Sequence, residues 1–106
     1  MGDAVVNARR LADGAVVVDV RGEIDVATAK QLRTTLVDAV SNLRPVRLVV
    51  DMMHVTFVDS TGIGAIAAGQ NAALSVGSAF AVVNPTPFVR RQLRMMGLSD
   101  AFGVED

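Results

Sequence analysis

The chain has no cysteine, no tryptophan and no tyrosine among its 106 residues. Without cysteine there is no disulfide framework, no thiolate metal site and no thiol nucleophile. Four phenylalanines are the only aromatic residues, too few for the stacking platforms that hold single-stranded nucleic acid. Charge of one sign is missing as well. Ten basic and eleven acidic residues leave a net charge of −1, with no basic run of the kind that marks a nucleic-acid binder. No apolar stretch approaches the ~18–20 residues that cross a bilayer. The N-terminus lacks a basic region followed by a long apolar stretch, so no signal peptide is read there. These absences predict a cytoplasmic protein with neither a membrane nor a nucleic-acid partner.

What is there is apolar and evenly patterned. Hydrophobic residues make up 51% and charged residues 20%, the composition of a packed globule. The length suits one domain over residues 1–106 with one core. Val5 to Leu11 alternates loosely and reads as a strand. Ala12-Asp13-Gly14 is a hairpin turn signal, and Ala15 to Arg21 reads as a second, central strand. Gly22 to Asp25 is expected to be a loop with Asp25 as a helix cap. From Val26 the period changes to three and four (Ala29, Leu32, Leu36, Val40, Leu43), giving an amphipathic helix that ends before Pro45. Lys30, Arg33, Thr34 and Asp38 fall off its apolar face.

Val46 to Asp51 is the third strand, and Met52 to Val58 is expected to be a connector. The next helix is expected to run to about Val76 with Gly77 as its stop, facing the sheet with Ile63, Ile66 and Leu74. Ala79 to Val83 is a fourth strand. Pro87 suits a first helical turn, and Gly97 ends that helix. Leu98 to Val104 then returns to the core as a short edge strand. Strands alternating with helices predict an α/β fold, a mixed sheet of about four to five strands covered by helices.

The chemistry concentrates at Asp59-Ser60-Thr61-Gly62-Ile63-Gly64. Asp59 and Ser60 are both good helix caps, a role typically worth ~1 kcal/mol. A hydroxyl at a helix start is exposed and lies near unpaired N–H groups that favour phosphate. Ser60 lacks the setting of an acyl-transfer nucleophile. The only histidine, His54, is six residues upstream and reads as a loop side chain, and Val58 stands where a nucleophile elbow has glycine. Gly62-x-Gly64 has no accompanying phosphate-loop lysine. The small residues Gly64, Ala65, Ala68, Gly69 and Ala72 leave the helix flat for close packing, on the sheet or on a partner. A metal site would need several converging ligands. Asp25 and Asp51 are the pair that could meet at one end of the sheet, and no metal is read from them. Met52-Met53 and Met95-Met96 are each expected to have one side chain inside and one outside. Arg90, Arg91 and Arg94 read as a solvated face, with an anion-binding patch as the alternative.

Several separated blocks together resemble the anti-sigma factor antagonists of the STAS domain family. They are Gly22-Glu23-Ile24-Asp25, Asp51 at a strand end, Val58 to Gly64, Asn84-Pro85 and Leu93 to Leu98. The resemblance covers nearly the whole chain. It implies a regulatory protein that is not an enzyme and needs no cofactor. It also implies phosphorylation of Ser60 by a partner that is both serine kinase and anti-sigma factor and itself binds ATP and Mg²⁺. Binding of that partner would free a sigma factor, and a serine phosphatase would reverse the modification. The expected partner-binding residues are Glu23, Asp25, Asp59, Thr61, Gly62, Ile63, Gly64 and Ala68. Family members often carry a further C-terminal helix, which is expected to be absent or very short here because the sequence stops at Asp106. Two alternatives of other classes are a STAS adaptor subunit of a membrane transport ATPase and a small-ligand or nucleotide sensor.

Overall fold

The hairpin predicted at Gly14 organises the start of the sheet. The computed structural model describes residues 5–105, beginning with strand β1 (Val5–Arg10), which pairs antiparallel with β2 (Ala15–Ile24). Gly14 turns the chain with φ +90°, a conformation that L side chains resist, and its N–H donates to Leu11 O at 3.1 Å. Helix α1 (Val26–Leu43) then crosses to β3 (Arg47–Val58), α2 (Ser60–Ser75) to β4 (Ala79–Val83), and α3 (Pro87–Met95) to the short β5 (Val104–Glu105). The strands lie in the order β1-β2-β3-β4-β5, every pairing after the first being parallel. The α/β mixed sheet read from the sequence is therefore observed, with five strands and three helices among the described residues.

One core holds the layers together. Val16, Val18 and Val20 of β2, Leu48, Val50 and Met52 of β3, Leu32 and Leu36 of α1, Ile66 of α2 and Leu93 of α3 all belong to it. Each fully buried aliphatic side chain contributes about 1.5–3 kcal/mol of transfer free energy. Ala15 to Val18 are buried in succession, as in a strand flanked on both sides. Ile66 is fully buried and Ile63 half-buried, but Leu74 is 57% exposed, because the buried face of α2 runs through Gly62, Ala65, Ile66, Gly69 and Ala73 and leaves Leu74 to one side.

The long strands correct the sequence reading most. Met52 to Val58 is strand rather than connector, and Gly22 to Ile24 is strand rather than loop. Two register shifts in the β2–β3 pairing explain why. Asp19 pairs with Asp51 and Arg21 with His54; Gly22 pairs with Val55 and Glu23 with Phe57. At each step β3 carries one more residue than β2, as in a bulge. Buried positions on β3 consequently fall at Met52, Val55 and Val58, three apart, where a regular strand would show a period of two.

His54 is accordingly an exposed side chain on β3, not in a loop. Asp51 lies seven residues before the end of β3, roughly 20 Å of strand. It does not meet Asp25, which follows the Ile24–Val58 pair. Met52 is buried and Met53 exposed as expected, whereas Met95 and Met96 are both exposed, at 83% and 49%. Arg91 and Arg94 are exposed and Arg90 half-buried.

Candidate functional site

The parallel strands β2 and β3 end side by side, Ile24 opposite Val58, and each delivers the chain directly into a helix. Asp25 caps α1. Its carboxylate accepts from Ala27 N at 3.0 Å and Thr28 N at 3.2 Å, while Thr28 Oγ1 accepts from Asp25 N at 3.0 Å, completing a capping box. Thr28 Oγ1 also donates to Glu23 O at 3.0 Å. Asp59 caps α2 in the same way. Its Oδ1 accepts from Gly62 N at 3.0 Å and from Thr61 Oγ1 at 2.5 Å. These two bonds, the hydroxyl first, hold the Asp59 carboxyl below the ordinary carboxylate range. The two caps are tied together, because Asp59 N donates to Ile24 O at 3.0 Å.

Asp59 therefore performs the capping that the sequence left open between Asp59 and Ser60. Ser60 is the first residue of α2 and is exposed. Its hydroxyl has no partner among the described residues. It projects from a helix start whose N–H groups favour an anion. No histidine can assist it: His54 is four residues before Val58 on β3, roughly 13 Å of strand.

The small residues divide into two kinds. A Cβ on Gly62 would come within 2.7 Å of Ile24 Cγ2 and 2.9 Å of Val58 Cγ1, so its smallness seats the start of α2 against β2 and β3. A Cβ on Gly69 would lie 2.7 Å from Leu36 Cδ1 and 2.8 Å from Leu36 Cβ, so this position sets the approach of α2 to α1. At Gly64 a Cβ meets nothing within 4 Å. Gly64 and Thr61 are exposed, Ala68 and Ile63 half-buried, and Glu23 is exposed where β2 pairs with Phe57.

Two features of the site were not read from the sequence. Beyond Asp51 the β4 side of β3 has no strand partner among the described residues, since that pairing ends at Asp51–Val83. Helix α3 takes over. Gln92 Nε2 donates to Val58 O at 3.1 Å, Val58 N donates to Gln92 Oε1 at 3.3 Å, and Thr86 Oγ1 donates to Val55 O at 3.3 Å. Phe88 of α3 stacks on Phe57, ring centroids 6.5 Å apart. The second feature is a groove of about 360 Å³ between α1 and α2, lined by Ala29, Lys30, Arg33, Thr61, Gly64 and Ala65. The spacing of Lys30 and Arg33 on the polar side of α1 was a usable signal for it. Gln92, 34 residues from Val58, offered none.

Comparison with known proteins bears on the same region. The family model described as "Mlab, STAS domain" matches residues 7–104. The chain belongs to the STAS domain family. A curated relative in Mycobacterium tuberculosis, named anti-sigma-F factor antagonist RsfB, is 33% identical over 92 residues, covering 85% of this chain and 72% of the relative. The crystal structure of an anti-sigma factor antagonist from Mycobacterium paratuberculosis is similar with a TM-score of 0.85 and 32% identity, over 97% of this chain and 86% of that one. The anti-sigma factor antagonist SpoIIAA in its unphosphorylated form matches with a TM-score of 0.83 over 96% of this STAS chain and 87% of its own. At 22% identity that match is a likeness of fold. No helix among the described residues of this STAS domain is long and apolar enough to cross a membrane. No group of three or more potential metal ligands occurs among them.

Proposed function

We propose that the chain is an anti-sigma factor antagonist, a phosphorylation-controlled switch that binds an anti-sigma factor serine kinase and so releases a sigma factor. The observation that carries this reading is the free, exposed Ser60 hydroxyl on the first residue of α2, beside a cap already made by Asp59. The names of the relatives at 33% and 32% identity support the role. Ser60 can be modified without dismantling the helix start, because the capping bond runs from Gly62 N to Asp59 and the Thr61 hydroxyl steadies the same carboxylate. The docking surface is the α2 start with Thr61, Ile63, Gly64 and Ala68, flanked by Glu23 and Asp25. Gly62 acts there through its packing rather than by contact.

Phosphate on Ser60 adds about −1.5 to −2 charge and considerable bulk. It arrives beside the Asp59 carboxylate, on a surface that a docked partner would dehydrate. Repulsion and the cost of burying that charge then end the complex. The partner supplies ATP and Mg²⁺, and a serine phosphatase resets the switch. On this reading the protein works in the cytoplasm as a single domain, and the isolated chain turns over neither ATP nor GTP. The test is to incubate the protein with a purified serine kinase from the native cell and ATP, then map the phosphopeptide and measure binding before and after. Modification chiefly at Thr61, Thr28 or Ser41, or binding unaltered by phosphate on Ser60, would overturn the proposal.

A further inference from the structure

The groove between α1 and α2 carries an unbalanced charge. Lys30 and Arg33 line it opposite Thr61, Gly64 and Ala65. Helix α2 has no charged side chain from Ser60 to Ser75, and the only acid on α1 is Asp38, five residues beyond Arg33. Neither cation forms an ion pair or hydrogen bond among the described residues. The carboxylates at this end of the sheet, Glu23, Asp25 and Asp59, are not among the residues that line the groove, and Asp25 and Asp59 are turned into their caps.

Gly64, on the opposite wall, is the second observation. Glycine is among the poorest helix formers, and at Gly62 and Gly69 neighbouring side chains leave no room for anything larger. At Gly64 the space is open, so packing within this chain does not call for glycine.

We propose that the protein partner lays an acidic segment along this groove, its carboxylates meeting Lys30 and Arg33 and its backbone passing over Gly64. The inference rests on the function proposed above and names the chemistry of the partner's contacting surface. Paired charges of this kind set orientation and speed encounter. Phosphate on Ser60 would present the same two cations with a competing anion and repel the incoming carboxylates.

The experiment uses the native-cell kinase purified by its ability to phosphorylate Ser60. Its affinity for the unphosphorylated protein is measured by calorimetry at low and moderate salt. Lys30→Glu/Arg33→Glu should weaken binding by about tenfold or more and flatten the salt dependence. Lys30→Gln/Arg33→Gln should fall between, and Arg94→Glu on the last turn of α3 should leave affinity unchanged. Circular dichroism checks that the variants fold. Unaltered affinity in the Lys30→Glu/Arg33→Glu protein, with wild-type binding intact, overturns the inference while leaving the proposed function standing. So does a double variant whose affinity changes only after phosphorylation, since the cations would then serve the phosphate of their own chain. A native cell that yields no kinase able to bind and phosphorylate the wild-type protein overturns the functional reading, and this inference with it.

Discussion

Gln92 holds Val58 by both of its backbone groups, donating to the carbonyl at 3.1 Å and accepting from the N–H at 3.3 Å. Val58 is the last residue of β3, immediately before the Asp59 cap and Ser60. A side-chain amide thus stands in for the missing neighbouring strand, and it comes from α3. The position of Ser60 therefore depends on α3 as well as on its own helix.

Replacing Gln92 with Leu keeps the volume and removes both hydrogen bonds. Each backbone group left unpaired in a part-buried position costs about 1–3 kcal/mol. Gln92→Leu should lower the urea midpoint accordingly and speed amide exchange at Val58 more than at β2 positions such as Val18. Exchange rates that rise equally along the sheet would mean that the amide supports global stability only.

Ser60→Ala should be nearly neutral for folding, within about 0.5 kcal/mol, because Ser60 is exposed and makes no cap. It should abolish phosphorylation and keep partner binding. Ser60→Glu should fold equally well and bind the kinase more weakly. Thermal melts and calorimetry read both effects. A loss of stability in Ser60→Ala comparable to that of a lost helix cap would return the capping role to Ser60.

The lowered titration of Asp59 fixes the sign of its pH dependence. A carboxylate favoured in the folded state adds stability above its unfolded value, about 3.9, and loses it as pH falls through the lower folded value. Asp59→Asn keeps an acceptor for Gly62 N and removes the titration. Wild type should exceed this variant in melting temperature at neutral pH, and the gap should close below about pH 4. A gap that persists in acid would place the effect in geometry rather than charge.

The same substitution should have opposite signs at two glycines of α2. Gly69→Ala forces a methyl group against Leu36 and should destabilise by about 1–3 kcal/mol. Gly64→Ala enters open space and gains helix propensity, stabilising by up to about 1 kcal/mol, while weakening partner binding. Denaturant titrations of both variants, with binding measured alongside, check the contrast. Gly64→Ala binding as tightly as wild type would remove the close approach from this position.

The sequence alone determined the local parts. Alternation and the Gly14 turn specified the opening hairpin, and the three-and-four spacing from Ala29 to Leu43 specified α1. Asp25 announced the start of α1, Pro87 the first turn of α3, and Gly77 and Gly97 the ends of α2 and α3, because caps and stops act within a few residues. The Asp59–Ser60 pair marked the site by the same local chemistry. Only the tertiary structure chose between the two residues as cap, since both can accept the same N–H and the chain's entry from β3 selects one. Tertiary pairing also made Met52 to Val58 a strand: β2 accommodates two extra residues on β3, which turns a period of two into a period of three and hides the strand from pattern reading. The clamp of Gln92 on Val58 and the meeting of Lys30 and Arg33 with Thr61 and Gly64 join residues about 30 positions apart. Such contacts arise from the order of strands and the packing of helices; local spacing put Lys30 and Arg33 together on the polar side of α1 but carried no record of what they face.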